Sequence, residues 1–512
     1  MKVFYYILIM LMVFCLNNTA LAKKKHKKTR TRSHSVTQTV TKTVRKPNRA
    51  VIAPAVFGTS ALADQLSQII RTENRNADIA VYVKSMDKGD SLYAYNVNQP
   101  LIPASTIKVL TAGAALVYLG SDYRFSTQLL TDAKSVRNGI LQGNLYIVLS
   151  GDPSLTYADL VELLLTLKTQ QILAISGNVY IDNSAYDQRF YGPGWMNTDK
   201  NYCYGAPISA SIINRNCLSF QVTPAKVSGH PAQVITSPKY FYPEIRNSVV
   251  TKTNRSRACG LRLSTEPSSI ISIDGCMGRG RYAWGVSYVI TDIPEYNRAL
   301  FKNLLNRLAI NVYGRVTFGS AKNNLSLIGT HNSKPLRLLI SDMLKKSDNV
   351  IAGALFKKMG QLYNNQQGSW ENGSVAVSQI LAKKIGTDIS GLRILDGSGV
   401  SHDNLTTAAQ LMSVLNFAYH NHPISYEFIS ALPIAGVDGT LKHRMWNIIR
   451  RVRAKTGTVQ GVVSLAGYVE SKDKEQLAFV IMVNGNKGMN WRYRALEDKI
   501  ATVLTRYQRP NI

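Results

Sequence analysis

The chain has 512 residues, 45% hydrophobic and 18% charged, a globular composition with length for two to four domains. It excludes a wholly disordered chain, a collagen-like repeat and a small disulfide knot. Lys and Arg number 61 against 31 Asp and Glu, a net charge of +30. Residues 1–50 hold twelve of the bases and no acid, so the remainder still carries 49 − 31 = +18, and an anionic partner has to be weighed.

Lys2, the apolar run Val3–Leu16, the polar Asn17-Asn18-Thr19 and the small-residue Ala20-Leu21-Ala22 spell an export signal over residues 1–22, cut after Ala22. The run is short for a permanent span, and Phe14 is too bulky to precede a lipidated Cys15; an uncleaved anchor is the alternative. The mature chain is expected to be periplasmic or otherwise exported, soluble or peripherally membrane-associated. Residues 23–50 open with KKKHKKTRTR and hold eleven like charges with little apolar bulk, a basic disordered tether. It is either a solvated spacer or a polycation that contacts anionic membrane or wall polymers. Export argues against nucleic acid as the partner.

Leu62, Leu66, Ile69 and Ile70 predict an amphipathic first helix, and strands follow around Ile79–Val83 and Leu92–Tyr95. The nearly charge-free run Ser105–Leu119, closed by Gly120, predicts a helix buried on all sides. From Phe125 to Gly319 short alternating segments punctuated by Gly and Pro predict β-rich inserted material, with helices at Leu160–Leu167 and Asn297–Leu308. Helices return at Leu336–Leu344, Val350–Met359, Val375–Lys384 and Ala408–Tyr419. Strands at Gly461–Val469 and Leu477–Val483 precede a last helix with Trp491, Leu496, Ile500, Val503 and Leu504 on one stripe. No period of 20–50 residues marks a solenoid.

With Cys15 removed, Cys203, Cys217, Cys259 and Cys276 remain, an even count that in an exported chain reads as two disulfides. No C-x-x-C supports zinc. Of three possible connectivities, Cys203–Cys217 with Cys259–Cys276 is preferred, since each pair would staple one local loop. His420-x-His422 lacks nearby ligands and reads as surface or capping. The absence of H-E-x-x-H and of G-x-x-x-x-G-K-[ST] leaves no support for a zinc amidase or a nucleotide hydrolase, and no metal or cofactor is expected.

Three short signatures occur in order: Ser105-Thr-Ile-Lys108, Ser347-Asp348-Asn349 and Lys455-Thr456-Gly457. Alone, each has an ordinary explanation: Ser105 as a helix cap, Ser347 and Asp348 as caps of the following helix, Lys455 as a solvated strand charge. Order and context favour chemistry. Residues i and i+3 share a helix face, so Lys108 can approach the Ser105 hydroxyl, which is a weak nucleophile until a neighbour takes its proton. A lysine at the root of a buried helix has its charged form disfavoured and can serve as that base. Ser347 with Asn349 and Lys455 with Thr456 are the types needed for a further proton carrier and a carboxylate site. The backbone N–H groups of Ser105 and Thr458 would form an oxyanion hole.

This motif set resembles that of the penicillin-recognising serine DD-peptidases, and within them the penicillin-binding protein 4 type D-alanyl-D-alanine carboxypeptidase/endopeptidases. The resemblance runs from about Ala61 to Tyr507. It rests also on the 242-position gap between the first two motifs and on Ser150-Gly-Asp-Pro-Ser154, Gly192-Pro-Gly-Trp195, Ala206-Pro-Ile-Ser209, Asp396-Gly-Ser-Gly399 and Leu432-Pro-Ile-Ala-Gly-Val-Asp-Gly439. It implies an α+β fold with a β-lactamase/transpeptidase-like core, an antiparallel sheet flanked by helices. Residues 51–122 and 330–512 would build that catalytic domain, 123–212 with 283–329 an inserted second domain, and 213–282 a third. It implies release of terminal D-Ala from peptidoglycan stems, or hydrolysis of D-Ala-diaminopimelate cross-links, through an acyl-enzyme that β-lactam antibiotics also form. Ser105 would be acylated and Lys108 its base. Ser347 and Asn349 would relay protons and hold the substrate amide. Lys455 and Thr456 would meet the terminal carboxylate, Gly457 and Thr458 would bind substrate beside them, and Asp199 with Tyr204 would receive the amine of a diaminopimelate stem. The family often has Arg where His402 stands, which bears on specificity at the side-chain end. A homodimer is left open. A β-lactamase or D-amino-acid esterase is the rival enzyme, against which the large insertion speaks. A silent wall-binding module is the other, against which the intact Ser105, Lys108 and Lys455 speak.

Overall fold

Residues 56–72, 77–236, 244–253, 259–264, 270–280 and 282–510 are described in a computed structural model of the chain; the expected export signal and basic tether lie outside them. The chain begins with β1 (Val56–Phe57), α1 (Gly58–Arg71), β2 (Ala77–Ser85) and β3 (Ser91–Tyr95), and a 3₁₀ turn at Ala104–Ile107 then opens α2 (Lys108–Leu119). After the insertion come α3 (Leu336–Lys346), α4 (Asn349–Asn364), α5 (Trp370–Ile380), α6 (Ala408–His420) and α7 (His422–Ala431). The last elements are β4 (Val452–Val459), β5 (Val462–Glu470), β6 (Gln476–Gly485), α8 (Asn490–Leu504) and β7 (Tyr507–Gln508). The central sheet is antiparallel in the order β4-β5-β6-β2-β3, so both ends of the sequence build it and β4 lies at an edge.

The two-residue period of the strands divides their side chains between two cores. Ile79, Val81 and Val83 of β2 and Leu477, Phe479, Ile481 and Val483 of β6 pack with Leu62, Leu66 and Ile70 of α1 and with Leu496, Ile500 and Leu504 of α8. The alternate positions, Ala80, Ala466, Ala478, Val480 and Met482, join the larger core formed by α2 to α7. Residues Lys108–Leu116 of α2 are all buried, which accounts for a helix of Ala, Gly, Val and Leu with almost no charge. At Gly113 a Cβ would come within 2.6 Å of Val414 on α6, so the two helices cross at van der Waals contact. One expectation fails: Trp491 is 69% exposed, and Tyr493 instead completes the stripe with Leu496, Ile500 and Leu504. Position 491 stands five residues before 496, about 140° around the helix, whereas 493 stands three before.

The insertion has its own core. One five-stranded sheet contains Ser126–Thr131, Leu145–Val148 and Val179–Asp182; helices Tyr157–Thr169 and Ile293–Arg307 supply apolar faces to the same core. Strands Cys217–Thr223 and Ile270–Gly278 anchor two three-stranded sheets. Trp284–Val289 hydrogen-bonds to Cys217–Thr223, so this strand, which falls by number in the expected 123–212 and 283–329 domain, pairs within a sheet of residues 217–289. The chain joins Cys203 to Cys217 and Cys259 to Cys276, with Cα atoms 5.6 and 4.9 Å apart. Among the described residues no helix is long and apolar enough to cross a membrane.

Candidate active site

Ser105 sits in the 3₁₀ turn at the entry to α2, preceded by Ala104 in the left-handed region (φ 46°). Its side chain caps no helix: the hydroxyl donates to the Ser398 carbonyl at 3.3 Å, and Lys108 Nζ lies 3.0 Å from Ser105 Oγ. The amine also donates to Asn349 Oδ1 at 2.6 Å and to the Ser398 carbonyl. Lys108 is wholly buried, and burial lowers its pKa from 10.5 to about 7, with Asp396 opposing the fall. A lysine so placed is in large part a neutral amine at neutral pH, beside a hydroxyl that it can deprotonate.

The second motif is the junction of α3 and α4. Ser347 ends α3 in the left-handed conformation (φ 58°), and Asp348 caps α4 by accepting from the Ile351 N–H at 3.0 Å. The capping explanation and the chemical one thus hold together, because the cap fixes the backbone from which Ser347 and Asn349 project. Asn349 bridges two parts of the site: Oδ1 accepts from Lys108, and Nδ2 donates to the Tyr204 carbonyl at 2.9 Å. Asp348 also pairs with Arg215 of the insertion.

Lys455 on edge strand β4 is fully buried, not a solvated strand charge. Its Nζ donates to Ser347 Oγ at 2.9 Å and to the Thr456 carbonyl at 2.6 Å. Burial, and after it the charge of Lys108, hold its pKa well below the usual lysine range. Next to it, only glycine fits at position 457: a Cβ would stand 2.1 Å from Ser464 Oγ, 2.7 Å from the Pro103 carbonyl and 3.1 Å from Ser105 N. The absent side chain lets β4 lie against the Ser105 turn. Thr456 Oγ1 donates to Thr440 Oγ1 at 2.7 Å, and Thr458 faces solvent.

These groups border a cleft of about 280 Å³ lined by Ser105, Asn349 and Thr458, with Asp199, Tyr204 and His402 among its other walls. Tyr204 donates from its hydroxyl to Asp199 Oδ1 at 2.8 Å, and the Met196 N–H donates to Oδ2 at 3.3 Å. Beneath the cleft, fully buried Asp396 accepts from the N–H groups of Ser398, Gly399 and Ser401, from Asn404 Nδ2 and from the Trp195 indole. This ties together two phrases the sequence shows far apart and holds the Ser398 carbonyl toward Lys108. Lys455, Ser347 and Thr456 do not line the cleft; they stand behind and beside it. Motif reading had no means to find the Ser398 carbonyl, Thr440 or Arg215, whose roles depend on backbone or on isolated residues. A roomier apolar hollow of about 630 Å³, beside Cys259–Cys276 and Trp284, holds none of the motif residues.

Comparison with known proteins identifies the family of the chain. The model of the D-Ala-D-Ala carboxypeptidase 3 (S13) family matches residues 62–507. The chain is 32% identical over 425 residues to the D-alanyl-D-alanine carboxypeptidase DacB of Haemophilus influenzae, covering 82% of this chain and 88% of that one. It is 31% identical over 443 residues to a D-alanyl-D-alanine carboxypeptidase of Actinomadura sp. (strain R39), covering 83% and 81%. Among solved structures, penicillin binding protein 4 (dacB) from Haemophilus influenzae superposes with a TM-score of 0.75 at 30% identity, covering 85% of this chain and 97% of that one. The same protein complexed with a β-lactam gives 0.70 at 29% identity, covering 86% and 98%. The chain therefore belongs to the D-Ala-D-Ala carboxypeptidase 3 (S13) family and is a serine DD-peptidase.

Proposed function

We propose that Ser105 is the acylated nucleophile and Lys108 its general base. The observation that carries this is the contact of a buried, neutral-prone amine with the Ser105 hydroxyl at 3.0 Å. In the forward step Ser105 Oγ bonds to the carbonyl carbon of the penultimate D-Ala, and its proton passes to Lys108. The tetrahedral oxyanion is met by the N–H groups of Ser105 and Thr458. Collapse breaks the C–N bond, and the leaving amine takes the proton that Lys108 received, relayed through Ser347, which Lys455 holds by a hydrogen bond at 2.9 Å; Lys108 is neutral again. Water then attacks the ester carbonyl; Lys108 takes its proton and gives it to Ser105 Oγ as the acyl C–O bond breaks, which restores both groups.

Lys455 lies behind Ser347, so its part at the carboxylate end is electrostatic. Burial and the charge of Lys108 draw Lys455 toward the neutral state, and a substrate carboxylate arriving near Thr456 and Thr458 restores its charge. The paired Asp199 and Tyr204 make a polar, anionic end suited to the free amine of diaminopimelate. That arrangement supports cross-linked as well as terminal D-Ala substrates. The basic segment 23–50 is proposed to add adhesion to anionic wall or membrane polymers and no chemistry.

The test is mass mapping of the adduct formed with a β-lactam, alongside digestion of purified muropeptides. One adduct per chain, on Ser105, is expected; attachment undiminished in Ser105→Ala refutes the assignment. Asp199→Asn should slow release from diaminopimelate stems while leaving β-lactam acylation within about twofold, and equal slowing of both would remove Asp199 from the amine site.

A further inference from the structure

The ion pair between Arg215 and Asp348 joins the insertion to the middle residue of the S-D-N motif. Asp348 divides its two oxygens: Oδ1 accepts from Ile351 N–H as the α4 cap, while Oδ2 meets the guanidinium. The carboxylate is nearly buried, with a side-chain exposure of 4%, and a buried charge needs a partner. Arg215 is held in place by an unusual backbone. Asn214, Arg215 and Asn216 all have positive φ, at 47°, 64° and 51°, a conformation that asparagine tolerates and arginine rarely adopts. The surroundings enforce it: the Asn214 N–H donates to the Leu155 carbonyl at 2.9 Å, and buried Asn216 donates from Nδ2 to the Pro207 carbonyl at 2.9 Å. Two residues past Arg215, Cys217 is bonded to Cys203, the neighbour of Tyr204, whose carbonyl receives Asn349 Nδ2. Residues 203–217 thus hold two residues of the motif, Asn349 through Tyr204 and Asp348 through Arg215. Strain kept at such a point by its surroundings is the kind found at functional sites.

We propose that Arg215 is a positioning residue for catalysis. Through Asp348 it fixes the junction from which Ser347 and Asn349 reach Lys455 and Lys108, so that the insertion sets the rate of acylation. This rests on the roles proposed above for Ser347 and Asn349. A shift of about 1 Å in such groups can cost a hundredfold in rate.

The test uses the full chain and a chromogenic β-lactam, reading separately the amount of adduct and the rate at which it forms. Arg215→Ala should still give one adduct per chain at Ser105, formed about 10- to 100-fold more slowly. Arg215→Lys should recover much of the rate. Asp348→Asn, which keeps a capping side chain, should slow acylation comparably, and the double variant should be no slower than the worse single one. A merely structural role would lower the amount of adduct and leave the rate per active molecule unchanged. Acylation within twofold of wild type in Arg215→Ala at full adduct yield overturns the proposal, as do multiplying effects in the double variant. If Arg215→Ala fails to fold, Asp348→Asn decides: a wild-type rate there overturns it. Failure of the wild-type chain to form a Ser105 adduct would instead refute the reading of the site.

Discussion

Lys108 ties two measurable quantities to one pKa. If the neutral amine accepts the Ser105 proton, the acylation rate constant follows the neutral fraction, which is half at a pH of about 7 and falls about tenfold per pH unit below it. The same burial acts on stability, and its sign is set by proton binding. The unfolded chain holds this proton up to about 10.5, the folded chain only up to about 7, so the unfolded state binds more protons in between and stability rises with pH across that window. At 1.36 kcal/mol per pH unit the full penalty is about 5 kcal/mol, complete below about pH 7. Lys108→Met removes it. In urea melts the stability of the Met variant relative to wild type should be greatest at pH 6 and shrink by about 3 kcal/mol by pH 9, while acylation is lost throughout. Stopped-flow acylation and urea midpoints at matched pH values make the comparison. An acylation rate flat from pH 5 to 8, or a stability difference identical at pH 6 and 9, would refute the reasoning.

Gly457→Ala places a Cβ against Ser464, Pro103 and Ser105 N, so β4 must move off the nucleophile turn; acylation should fall by about a hundredfold, the loss seen when one oxyanion donor is misplaced, and a rate within threefold would exclude the tight fit. Thiol titration of denatured, unreduced protein should find none of Cys203, Cys217, Cys259 or Cys276 free, and Cys203→Ser should expose Cys217 alone; opening this 14-residue separation should lower stability by about 2–4 kcal/mol in a urea melt. Deleting residues 23–50 should weaken adsorption to intact wall, most at low salt where charges act beyond about 10 Å, with hydrolysis of a small D-Ala-D-Ala peptide unchanged; loss of that hydrolysis in a folded protein would make the segment part of the site.

Where a residue's neighbours in sequence are also its neighbours in space, the sequence is a good guide. The contact of Ser105 with Lys108 follows from helix spacing, and the burial of α2 from its lack of charge. The helical stripe of α8 was legible except at Trp491, where an apolar type outweighed the angle. Strand β4 is legible only as a place where Lys455 stands on a strand, without bounds, because Arg453 and Lys455 interrupt its apolar alternation; the burial of Lys455 is not legible, since it depends on Ser347 and the Thr456 carbonyl receiving the amine. The Asp396 hub and the Arg215–Asp348 pair were illegible for a different reason. They join residues more than a hundred positions apart, and no periodicity or motif records such a contact.

The pairing of β2 with β6 has a consequence for biogenesis. Ala77 lies opposite Gly485, so the central sheet cannot close until nearly the whole polypeptide is available, and closing a loop of this length costs about 5 kcal/mol in chain entropy. The insertion, whose hydrophobic core is drawn from residues 129–328 alone, can condense first. The catalytic half must meanwhile wait with the apolar faces of β2 and α2 uncovered, a state prone to misassociation. A chain interrupted before β6 would therefore have neither nucleophile turn nor edge strand in place. Activity is withheld until synthesis and folding are both complete.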